Sequence, residues 1–189
     1  PAAAVMYPAG FETHVVPGPL AERLEGPMRP GHFRGVTTVV TKLFGATAPR
    51  VAVFGQKDYQ QLAIVRRMVA DLDLGIEIIG LPTVRELDGL ARSSRNVRLS
   101  SDDRAAAVAI PQALAAADRL HRDGIRDTAV LRSAALRVLT AEPRARVEYV
   151  ELVDAETLEP TDRADRAVVM LIAAWFGEVR LIDNAVLGR

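Results

Sequence analysis

Two short stretches of this 189-residue chain combine residue types suited to handling phosphate. The first is Phe54-Gly55-Gln56-Lys57-Asp58-Tyr59-Gln60-Gln61, which reads as a strand end, a glycine turn and a helix start. Ligands of open α/β sheets sit at the carboxyl ends of strands, and helix N-termini offer backbone N–H groups and partial positive charge to anions. Gly55 permits close backbone approach, and Lys57 adds a cation. A spacing of four places Lys57 and Gln61 on one helical face. A structural role is equally open: Asp58 as an N-cap with Gln61 at the third helical position, a variant of the capping box. The second stretch is Asp88-Gly89-Leu90-Ala91-Arg92-Ser93-Ser94-Arg95-Asn96. Two hydroxyls followed by a guanidinium form a compact donor set for phosphate oxygens. It also reads as a polar interdomain loop leading to a helix capped by Ser100 or Ser101.

The elements around these stretches are predicted from periodicity and punctuation. The first thirty residues are rich in Pro and Gly and read as an irregular lead. Phe33, Val36, Val39, Val40 and Leu43 recur at three and four, predicting a helix from Phe33 to Ala46 that Pro49 stops. Val51-Ala52-Val53-Phe54 is a continuous apolar run, as expected of a parallel strand buried on both faces. Asp58 to Leu72 returns to helical spacing, and Ile76 to Leu81 is a second strand-like run. Helix–strand–helix–strand predicts βαβ units, with a sheet left incomplete at two strands.

After Pro82 the pattern changes. Ser101 to Arg122 is Ala-rich and helical, with Pro111 as a kink or a break. Asp127 to Ala141 is another helix, ended by Pro143. Strand-like runs follow at Val147–Val153, Ala167–Trp175 and Glu178–Val186, with a hairpin at Trp175 to Glu178. Helices followed by an antiparallel meander predict a small α+β domain starting near Thr83.

Lys plus Arg and Asp plus Glu each total 24, a formal net charge of zero. No basic excess is present to release many counterions, which argues against a nucleic-acid binder, including one built on Arg95, Arg98 and Arg104. With no Cys in the chain, disulfides and thiolate zinc sites are excluded, and a cytoplasmic protein is expected. The longest apolar run, Ala167 to Phe176, falls short of the roughly 18 residues a spanning helix needs, so no membrane association is expected. Pro1 to Pro8 lacks the basic and apolar regions of a signal peptide. The chain opens without Met, which leaves both processing before Pro1 and a missing upstream segment open.

Taken together, FGxKDYQQ and PTVRExDGLAxSSRN resemble the pantothenate synthetase (pantoate–β-alanine ligase) family. The resemblance extends to Tyr7-Pro8, to Arg29-Pro30-Gly31-His32-Phe33-Arg34-Gly35-Val36 and to Tyr149-Val150-Glu151-Leu152. It implies an α/β fold: the C-terminal portion of a Rossmann-like nucleotidyltransferase domain (residues 1–83, binding ATP and pantoate), followed by a small α+β lid domain (84–189). It also implies a two-step reaction using ATP and Mg²⁺. Pantoate is activated as pantoyl adenylate, and the amine of β-alanine then displaces AMP. Carried over by position, Gly55, Gln56, Lys57 and Asp58 line ATP, and Gln61 binds pantoate. Val84 offers backbone contacts to adenosine, and Arg92, Ser93, Ser94 and Arg95 close on the phosphates. Lys57, Ser93 and Arg95 are the expected catalytic residues, stabilising charge on the pentavalent phosphorus. Val36, Val39, Val40 and Leu43 are candidates for the apolar wall of the pantoate site as well as for core. No protein metal site is assigned, and the family's usual homodimer is expected.

Departures from the family pattern bear on these roles. Gln56 stands where Glu is usual, and Arg92 where Met is usual. The family's H-x-G-H signature does not occur, since His14, His32 and His121 lie in no such motif. The resemblance is therefore to a chain lacking the N-terminal part that carries this signature. A catalytically inactive fragment, acting only as a nucleotide-binding or dimerisation module, is the alternative expectation. An incomplete sheet would then leave apolar surface exposed.

Overall fold

The computed structural model describes residues 1–188. It divides into two compact units, Pro1–Leu81 and the residues from Pro82 onward.

The lead of the first unit is mostly irregular, interrupted by α1 (Ala3–Met6), a 3₁₀ turn at Pro19–Ala21 and α2 (Glu25–Met28). Its Pro and Gly residues prevent longer elements, so side chains must hold it down. In α3 (His32–Thr47), Thr37 donates to the Val15 carbonyl at 2.7 Å and Thr38 accepts from the Val15 N–H at 3.1 Å. Tyr7, Phe11 and His14 stack edge to face, and Lys42 lies 4.7 Å from the Phe11 ring centre. The helical stripe differs from expectation at its end. Leu43 is exposed, while Phe33, Thr37, Thr38, Val40 and Phe44 are the buried positions. Two threonines belong to the buried face because their hydroxyls are satisfied by backbone carbonyls of the preceding turn.

β1 (Val51–Gly55) is followed by a 3₁₀ turn at Gln56–Asp58, α4 (Tyr59–Asp71) and β2 (Glu77–Leu81), which pairs with β1 in parallel. This is one βαβ unit. The expectation of burial on both faces fails. Ala52, Phe54, Ile76 and Ile78 pack on Val40, Phe44, Val65, Met68 and Val69 of the two helices, while Val51, Val53, Ile79 and Leu81 are exposed. Both helices lie on the same face, so the period-2 alternation of the strands sends every second side chain to the other.

The second unit opens with a loop and then α5 (Ser101–Ala106), α6 (Ala109–Arg122) and α7 (Thr128–Ala141). Ser100 caps α5 by accepting from Asp103 N–H, and Asp127 caps α7 by accepting from Ala129 and Val130. The break in the Ala-rich run falls at Ala107–Val108, not at Pro111. Pro111 sits in the first turn of α6, where its missing N–H costs no hydrogen bond. β3 (Ala145–Asp154), β4 (Val168–Phe176) and β5 (Val179–Val186) form an antiparallel sheet in the order β3-β4-β5. Gly177, at φ +54°, and Glu178 make the two-residue turn between β4 and β5. α6 and α7 cover the sheet, and their alanines interlock with Val150, Met170, Ile172 and Phe176. No helix among the described residues is long and apolar enough to cross a membrane.

Candidate active site

In the first unit, the end of β1 and the start of α4 present the FGxKDYQQ residues. Gly55 has φ −74° and ψ 138°, ordinary extended backbone, and a Cβ added there would meet nothing within 4 Å. Neither conformation nor packing within the chain therefore requires glycine. Gln56 and Lys57 are half-buried, Asp58 is exposed, and Gln61 is half-buried in the first turn of α4. Asp58 stands at the N-cap position but its side chain makes no capping hydrogen bond. The capping role open to it in the sequence is not realised.

The expected sharing of a helical face by Lys57 and Gln61 is not observed. Lys57 lies in the 3₁₀ turn, and Asp58, with φ −93° and ψ 62°, interrupts helical geometry before α4 begins at Tyr59. The i,i+4 rule applies only within a continuous helix.

Gln60 has a role the sequence reading missed. It is buried, and its amide donates to the carbonyls of Leu20 at 2.8 Å and Arg23 at 2.7 Å. Its oxygen accepts from Glu25 N–H at 3.0 Å. Three hydrogen bonds thus fasten the lead to the first turn of α4, beside Gln61. Leu24, inside the fastened stretch, has φ 53° and ψ −105°, a conformation unfavourable to a residue with a Cβ. A polar residue on the buried face with Ile64 was the available signal.

In the second unit, residues 84–96 form a built loop. Arg92 N–H donates to the Val84 carbonyl at 2.9 Å, and Glu86 N–H to the Leu90 carbonyl at 2.8 Å. Gly89, at φ +89°, closes the turn. Asp88 accepts from Leu90 N–H and from Arg104 at 2.7 Å, and the Arg104 guanidinium holds its carboxyl below the usual range. Leu90 and Ala91 are buried, Val84 is exposed, and Arg92 is exposed with Glu86 3.3 Å away. Ser93 and Arg95 are half-buried and Ser94 is exposed. The Ser93 hydroxyl accepts from Arg95 N–H at 3.2 Å, and Asn96 donates to the Ala91 carbonyl at 3.0 Å. Ser93, Ser94 and Arg95 are therefore presented from a loop with little freedom.

The three histidines are spent elsewhere. His14 stacks on Phe11, His32 packs on Phe33, and His121 is buried with Nε2 3.3 Å from the Ala164 carbonyl.

Comparison with known proteins matches this arrangement to one family. The pantoate-beta-alanine ligase family pattern covers residues 1–186. A pantothenate synthetase of Geobacter sulfurreducens is 50% identical over 189 residues, all of this chain and 67% of that protein. One from Anaeromyxobacter dehalogenans is 55% identical over 181 residues, 96% of this chain and 62% of that protein. The crystal structure of pantothenate synthetase from Thermus thermophilus superposes with a TM-score of 0.94 at 46% identity, over 98% of this chain and 67% of that one. A pantoate-beta-alanine ligase from Francisella tularensis, crystallised with beta-gamma ATP and beta-alanine, gives a TM-score of 0.70 at 32% identity, over 97% of this chain and 61% of that one. The chain thus spans about two thirds of the length of such relatives, and nearly all of its α/β fold superposes on the Thermus thermophilus structure. This chain belongs to the family of pantoate–β-alanine ligases, the pantothenate synthetases.

Proposed function

We propose that this chain binds ATP and pantoate for the condensation of pantoate with β-alanine, and that both signature stretches carry the work. Gly55, Gln56, Lys57 and Asp58 contact ATP, with Gln61 hydrogen-bonding pantoate. Val84 contacts adenosine through its backbone, and Arg92, Ser93, Ser94 and Arg95 contact the phosphates. Residues 1–83 act as the ATP- and pantoate-binding domain and 84–189 as the lid. In the first step a pantoate carboxylate oxygen attacks the α-phosphorus, and the bond to pyrophosphate breaks. Lys57, Ser93 and Arg95 stabilise the charge that gathers on the phosphoryl oxygens. In the second step the neutral amine of β-alanine attacks the acyl carbon, AMP leaves with its oxygen, and the nitrogen loses a proton.

The observation that most supports this reading is the run from Gly55 to Lys57 at the carboxyl end of β1, leading into α4, where neither backbone conformation nor packing calls for a glycine. A ligand drawn close to the backbone, next to Lys57, supplies the missing reason. Mg²⁺ enters with the ATP phosphates, the usual mode for this ion, and no side chain of this chain is assigned to it. A cytoplasmic homodimer is part of the same proposal, carried by the family resemblance.

Pantoate-dependent ATP–pyrophosphate exchange by the intact protein is the test. Lys57→Ala and Arg95→Ala should each lower it by about 10²–10³-fold, and Gly55→Val should weaken ATP binding without unfolding the protein. An intact, folded protein that neither exchanges nor binds ATP would sink the proposal.

A further inference from the structure

Arg85 and Asp183 are 98 residues apart in the chain and form an ion pair whose carboxylate is withdrawn from water. The Asp183 side chain is 1% exposed. Arg85 grips it with both arms, Nη1 to Oδ2 at 2.6 Å and Nη2 to Oδ1 at 3.1 Å. The same guanidinium donates to the Gly89 carbonyl at 2.9 Å and to the Asn184 carbonyl at 3.4 Å, while Asp183 also accepts from Asn184 N–H. One planar cation thus holds the carboxylate of β5 and the carbonyl at the tip of the 84–92 loop together. Lysine has neither the fork nor the number of donors to do this.

An ion pair whose carboxylate is buried contributes little stability relative to apolar residues of similar volume, because desolvation of the carboxylate offsets the attraction. Its distinctive property is direction: two parallel hydrogen bonds are satisfied in one orientation only. Arg85 adjoins Val84, whose carbonyl accepts from Arg92 N–H, and Asn96 ties Ser93–Arg95 back to Ala91. Fixing Arg85 therefore fixes Val84 directly and Ser93 to Arg95 through the loop.

We infer that the Arg85–Asp183 pair is a positioning device that sets the 84–96 loop for ATP, with Arg85 itself touching no substrate. The inference rests on the reading that Val84 and Ser93–Arg95 handle ATP. It predicts an effect confined to the nucleotide, and an effect separable from stability.

The test uses the intact protein with Asp183→Asn and the apolar double variant Arg85→Met/Asp183→Leu, each first shown to be folded by circular dichroism and urea unfolding. KM for ATP should rise about tenfold or more, because small misplacements of binding groups are costly. KM for pantoate and for β-alanine should stay within about twofold. Amide exchange should quicken across residues 84–96 and stay unchanged in α6 and α7. A folded double variant with the parent's ATP affinity would overturn the inference alone, as would equal shifts in all three KM values or unchanged loop exchange. A parent that binds no ATP would overturn both this inference and the proposed function. Failure of both variants to fold would make the pair a determinant of the fold and end the positioning claim.

Discussion

The strands of the two units are comparably apolar in sequence, and their surroundings differ sharply. β1 and β2 bury alternate side chains against α3 and α4 and leave Val53 56% exposed on the other face. β4 is buried at every position but Trp175, the central strand of a sheet backed by α6 and α7. The first unit has a small buried cluster around Val40, Phe44 and Val65, and relies on polar fastenings such as Gln60 and Thr37 to hold its lead. The second has a continuous apolar core, and places its ion pairs where direction matters. An apolar run therefore states that a strand has at least one covered face. How many faces are covered depends on what packs there.

The comparison is tested first at the core of the second unit. Phe176→Ala should destabilise it by about 3–5 kcal/mol, read from urea unfolding, since the ring is fully buried. Next is Glu148, which accepts from Trp175 Nε1 at 2.7 Å and from Arg180 Nη2 at 2.6 Å. Chiefly through the hydrogen bond from Arg180, its carboxyl is held below its ordinary value of 4.5. A depressed folded-state pKa contributes stability that is present above the ordinary value and is lost as pH falls through the folded one. Glu148→Gln should cost about 2–3 kcal/mol at neutral pH. The gap between variant and parent should narrow as pH falls below about 4.5.

In the first unit, Gln60→Ala strands two carbonyls and one N–H of the lead. A loss of about 1–2 kcal/mol is expected, with faster amide exchange at Glu25. Smallest of all, Val53→Thr on the open face of β1 should change stability by less than about 0.5 kcal/mol in urea unfolding. A large loss there would mean that this face is covered in solution, and the contrast between the units would fall.

Much of this was legible in the sequence. The helices around Val40 and Val65, a cap at Ser100 or Ser101 and the turn at Gly177 follow from short-range rules, because periodicity and capping couple residues at most four apart. The two stretches that carry the family resemblance stood out for the same reason, since each is contiguous in the chain. Pro111 misled because proline breaks a helix interior but suits a first turn, and only the observed start of α6 at Ala109 distinguishes the two. Lys57 and Gln61 misled similarly, since their spacing assumes a helix that begins two residues later.

From its residues alone, this chain determined the type and order of its longer elements and the two motifs that carry its family resemblance. Tertiary structure decided that α3 and α4 share one face of the two-stranded sheet, that Gln60 fastens the lead, and that Arg85 finds Asp183. Backbone geometry repeats over a few residues and so leaves a pattern in the chain. Contacts closed over tens of residues depend on how the elements pack, and no local spacing records them.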